Sequence, residues 1–86
     1  MISQSVKSAI HQKIAELAGE LGHNASGLRD DQVVIETGLL DSAAILELMV
    51  WMEGEFGIEI DPENVTVDNF GSIEQMTAFV ETRRAD

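Results

Sequence analysis

The chain has 86 residues, with sixteen acidic and five basic side chains, a formal net charge of −11 and no cysteine. That length makes one domain, spanning residues 1–86, near the lower end of what folds by packing alone. Without cysteine, neither a disulfide nor a thiolate metal site can assist it. The charge is localised: from Asp30 to Glu81 there are thirteen acids and no Lys or Arg. Such a field repels nucleic acid and anionic lipid, and it speeds encounter with basic protein surfaces. No apolar run is long enough for a membrane span and the first residues lack a signal-peptide core, so a soluble protein of the cytoplasm, or of an organelle after processing, is expected. Nothing demands more than a monomer.

The first helix is predicted from about Ser3 to Leu21. Ile2, Val6, Ile10, Ile14, Leu17 and Leu21 step by three or four along it, and Lys7, His11, Lys13, Glu16 and Glu20 occupy the other faces. Gly22 and Asn24 are stop signals. His11 and His23, the only histidines, have no cysteine or clustered histidine beside them and read as surface residues, not metal ligands.

Residues 22–41 read as a long connection with one short turn of helix. Within it, Val33-Val34-Ile35 is either an isolated strand or, better, a plug that seats the loop on the core. Leu39 and Leu40 anchor its end. A loop of that length in a small domain is usually functional or disordered.

A second helix is predicted over Ser42 to Phe56. Ala44, Ile45, Leu48, Met49, Met52 and Phe56 form its core stripe, while Leu46, Val50 and Trp51 fall outside it. Glu47, Glu53 and Glu55 exclude burial all round, so the mixed apolar and acidic second face suits partner docking. Gly57 ends this helix, and Ile58-Glu59-Ile60 is extended. Asp61-Pro62 then starts a short third helix. Ser72 with Gln75 three residues on is a capping-box pattern opening a last helix, Ile73 to about Arg83. Its stripe is Ile73, Met76, Phe79 (or Ala78) and Val80, and Arg83 and Arg84 sit at its negative end. With no credible sheet, the apolar stripes must pack on one another. The expected fold is all-α: a small antiparallel four-helix bundle, three main helices plus one short third helix.

Ser42 is the one residue with a plausible reactive role. As a nucleophile it would need a base held in reach by a third group, and no histidine is placed for that. Gly38-Leu39-Leu40-Asp41-Ser42 is not a nucleophile elbow, and the acids around Asp61 do not match a calcium loop. Enzyme activity is not expected. A hydroxyl that another enzyme modifies makes different demands: an exposed helix tip, whose positive end tolerates an attached phosphate, and nearby acids that steer a basic partner.

Those residues carry a resemblance. Gly38-x-x-Asp41-Ser42 opening an apolar helix, Glu47 five residues on, Phe56-Gly57, Ile58-Glu59-Ile60 with the following acids, and Ser72-Ile73 are similar in order and spacing to acyl and peptidyl carrier proteins. The resemblance implies a free-standing carrier with an acyl-carrier-protein-like bundle. Ser42 would be the attachment point of 4′-phosphopantetheine, transferred from coenzyme A by a phosphopantetheinyl transferase in a Mg²⁺-dependent reaction. It makes Asp41 the preceding motif residue and the second helix the docking element. There Leu46, Val50 and Trp51 give apolar contact, and Glu47 and Glu53 give acidic contact. It implies an acyl or aminoacyl thioester as cargo, with a loading ligase and downstream synthase or transferase enzymes as partners. The chain departs from the family's pattern with Ala43 where many members have Leu, Ala44 where fatty-acid carriers often place an acid, and Trp51 at an often small position; these departures bear on cargo and partners, and the fewer acids at the start of the second helix argue against a housekeeping fatty-acid carrier. They point toward specialised fatty-acid, polyketide or nonribosomal peptide-type biosynthesis. The alternative is an unmodified carrier-fold module that binds a partner through the second helix.

Overall fold

A computed structural model describes residues 4–83, and over these the chain is helical with no strand. Helix α1 runs Gln4–Glu20, α2 is one turn at Val34–Thr37, and α3 runs Ser42–Phe56. After a 3₁₀ turn at Pro62–Asn64 come α4, Val67–Phe70, and α5, Ile73–Arg83. Three long helices and short pieces between them make the expected small bundle, with α1 packed on both α3 and α5 and α4 packed on α5.

Helix α1 buries Val6, Ile10, Ile14 and Leu17, the predicted stripe, and adds Ala18. Its end is a Schellman turn: Gly22 takes the left-handed conformation at φ 82°, His23 N–H donates to Ala18 O at 2.8 Å, and Gly22 N–H donates to Gly19 O at 3.0 Å. Leu21 falls beyond the last helical turn and is 41% exposed, so it leaves the stripe. The expectations placed on Ile2, Ser3 and Arg84 lie outside the described residues.

The long connection is seated by Ala25, Leu28, Val34 and Leu40, all buried. Val33-Val34-Ile35 is not a strand. The chain turns helical at Val34, whose N–H donates to Gly71 O at 2.7 Å, and the Thr37 hydroxyl returns to Val34 O at 2.6 Å. Of the three residues only Val34 plugs the core, since Ile35 is about half exposed. A second backbone bond, Glu74 N–H to Asp30 O at 3.0 Å, fastens the same loop to the first turn of α5, and Lys7 Nζ meets Asp30 Oδ2 at 3.3 Å.

In α3 the buried stripe is Ala44, Leu48, Met49 and Met52. Ile45 and Phe56, assigned to the core from spacing, are only partly covered. The third helical segment is split: Asn64 N–H closes the 3₁₀ turn on Asp61 O at 2.9 Å, and Thr66 then caps α4 by accepting from Asn69 N–H at 3.2 Å. In α5, Ile73, Met76, Phe79 and Val80 are buried as predicted and Ala78 is exposed. Ser72 accepts from Gln75 N–H at 3.2 Å, and the Gln75 side chain takes the Ser72 hydroxyl. Thr77 is fully buried and hides its hydroxyl by donating to Ile73 O at 2.8 Å, which removes the cost of an unpaired polar group.

Candidate functional site at the start of α3

The site is built by a local sequence of turns. Gly38, at φ 77°, ends α2 in the left-handed region that glycine enters without steric cost. Leu40 then anchors in the core, which sets Asp41 at the N-cap of α3 with extended backbone, φ −95° and ψ −178°. The Asp41 carboxylate accepts from Ala44 N–H at 2.8 Å. Ser42 is therefore the first helical residue and not the cap. It is exposed, and among the described residues no hydrogen bond occupies its hydroxyl. The first turn of α3 contains no acid, so apart from Asp41 the positive end of the helix is uncompensated. No histidine lines either groove that flanks α3.

Of the residues expected on the docking face, Leu46, Glu47, Val50 and Trp51 do come together. With Ala43 they form one wall of an open groove whose other wall is Lys13 of α1. Leu46 is 62% exposed and Val50 68% exposed. Trp51 is half-buried, set edge-on against Phe56 with ring centroids 5.5 Å apart, and Lys13 Nζ lies 6.0 Å from its ring centroid. Glu53 is placed elsewhere. It is half-buried, and its Oε2 accepts from Ile60 N–H at 2.9 Å, so its charge is committed to holding the extended segment after α3. The other flank of α3 carries a second apolar cleft, lined by Ile35, Ile45, Val65, Thr66, Phe70 and Gly71.

Lys13 and Ala43 were not foreseen as groove residues. The spacing Ala43, Leu46, Glu47, Val50, Trp51 is a legible helical stripe, but nothing in the sequence says that Lys13 faces it. No group of three or more potential metal ligands is present among the described residues, and no described helix is long and apolar enough to cross a membrane.

A family model described as "Phosphopantetheine attachment site" matches residues 10–80. The chain belongs to that family, whose members carry covalently attached 4′-phosphopantetheine, and it is a phosphopantetheine-bearing carrier domain. Such domains are generally carriers and not catalysts, and they work by interacting with synthase and transferase enzymes. A search of curated proteins finds no match to the chain.

Proposed function

We propose that Ser42 is the attachment residue and that the protein presents a thioester-bound acyl or aminoacyl group to a series of enzymes. The observation that carries this is the division of labour at the start of α3: Asp41 serves the backbone while Ser42 remains exposed. The residues fit the prosthetic group. A phosphodiester at Ser42 would sit at the positive end of a fifteen-residue helix whose first turn contains no acid, beside the Asp41 carboxylate that caps it. A phosphopantetheinyl transferase with Mg²⁺ would join the Ser42 oxygen to the pantetheine-side phosphorus of coenzyme A, breaking the pyrophosphate P–O bond; adenosine 3′,5′-bisphosphate would leave, and the hydroxyl proton would pass to a base of the transferase. The attached group supplies the thiol that holds cargo.

This chain's own contribution is presentation. Leu46, Val50 and Trp51 offer apolar contact to a partner, and Glu47 offers charge to a basic one. Tethering turns each cargo transfer into an event at high effective concentration within a docked pair. The lack of an acid in the first turn of α3, where Ala44 stands, supports a specialised biosynthetic route over a housekeeping one.

Intact mass before and after incubation with coenzyme A, Mg²⁺ and a broad-specificity transferase tests the assignment. A gain of one phosphopantetheine by the parent and none by Ser42→Ala is expected. A folded parent that gains nothing, or a Ser42→Ala protein that is still loaded, removes it; the former outcome favours an unmodified module that binds through α3.

A further inference from the structure

Residues four apart form the ridges of a helix surface, with grooves between them. One such row on α3 starts at Ser42 and continues through Leu46, Val50 and Gly54, all exposed. The next row is Ala43, Glu47 and Trp51, and together with Leu46 and Val50 it faces Lys13 across the groove. Trp51 stands nine residues beyond Ser42, about 14 Å along the axis. Its indole N–H is not sealed off and makes no hydrogen bond among the described residues. The groove offers about 420 Å³, and the apolar cleft on the other flank of α3 about 170 Å³. An apolar space of about 150 Å³ takes one benzene ring. The cleft is therefore too small for a chain of two amide-linked units, and the groove is not.

We propose that the groove is a resting place for the phosphopantetheine arm between deliveries. Leu46, one turn on from Ser42, covers the dimethyl carbon next to the arm's phosphate. Glu47 accepts an amide N–H, and the Trp51 indole N–H donates to a carbonyl near the thiol end. Gly54, where a Cβ would meet nothing within 4 Å, leaves the far end open for cargo. Beyond its phosphate the arm is uncharged, so the acidic field that turns away anionic occupants does not expel it. A partner that covers Leu46 and Val50 evicts the arm, so docking itself frees the cargo when an active site is at hand. The inference rests on Ser42 being the attachment residue and adds where the arm waits.

The chain has no cysteine, so the arm carries the only thiol. Protein loaded to completion, as read by intact mass, is reacted with iodoacetamide, a neutral reagent. The parent's thiol is expected to react about threefold slower than that of loaded Leu46→Ser, which alters an exposed residue and keeps the charge. A threefold difference means an arm seated about two-thirds of the time. Loading should also move the methyl resonances of Leu46 and Val50 and slow solvent exchange of the Trp51 indole proton. Trp51→Phe should bring the thiol rate toward the Leu46→Ser value. Equal thiol rates in parent and Leu46→Ser, with groove resonances unmoved by loading, overturn the proposal. So do loading shifts centred on Ile35, Ile45 and Val65, which put the arm in the other cleft. A folded parent that gains no mass removes the attachment assignment and the proposal with it. A parent that loads fully and shows a free arm removes the resting groove alone.

Discussion

The Asp41 carboxylate accepts the Ala44 backbone N–H at 2.8 Å, and that single bond separates the capping residue from the residue beside it. Asp41→Ala is expected to cost about 0.5–2 kcal/mol in urea denaturation, with Asp41→Asn retaining most of it. Ser42→Ala should cost only a few tenths of a kcal/mol, because alanine is a good helix residue and no side-chain bond is lost. Equal losses for Asp41→Ala and Ser42→Ala would show that the hydroxyl shares the cap.

Glu53 lies on the helix expected to meet partners, but its carboxylate is spent on Ile60 N–H. Glu53→Ala is expected to lower stability by about 1–3 kcal/mol, since a half-buried donor loses a charged acceptor, and Glu53→Gln to recover part of that. Association with a phosphopantetheinyl transferase should respond to Glu47→Gln and not to Glu53→Gln. The reverse order, measured by stopped-flow, would return Glu53 to the docking face.

Two glycines separate backbone need from backbone exposure. Gly38 holds φ 77° with open space around a would-be Cβ, so Gly38→Ala carries the left-handed penalty alone, about 1–2 kcal/mol. Gly54→Ala has no such penalty and should stabilise instead. Thermal melts of the two variants moving in the same direction would contradict the assigned conformations.

The net charge of −11 predicts two opposite salt effects. Added salt should raise the melting temperature, because like charges oppose compaction, and slow association with a basic partner, because steering is screened within about 8 Å at physiological ionic strength. A salt-independent association rate would exclude steering by the acidic face.

What could be read from the sequence follows from how local its causes are. The α3 boundaries were legible because Asp41 and Gly57 act on backbone within one turn, and the α5 start because Ser72 and Gln75 are three residues apart. Val33-Val34-Ile35 has the composition of a strand. It became a helical turn because Gly71, far along the chain, claims the Val34 N–H. Glu53 read as a free acid since its partner is on a different segment, seven residues away. Four residues of α4 are too few to show a period. The second stripe of α3 was visible by spacing, but its opposing wall, Lys13, was not, because helix pairing leaves no mark on either helix's own pattern.

The bonds Val34 N–H to Gly71 O and Glu74 N–H to Asp30 O rivet the connection before α3 onto the start of α5. The polypeptide leading to Ser42 therefore does not act as a swinging loop. An arm at Ser42 would pivot from a fixed mount, and the volume its cargo sweeps would be set by the arm's own length. Prising that mount loose means opening the first turn of α5 as well, so amide exchange at Val34 and Glu74 should rise and fall together as one cooperative unit.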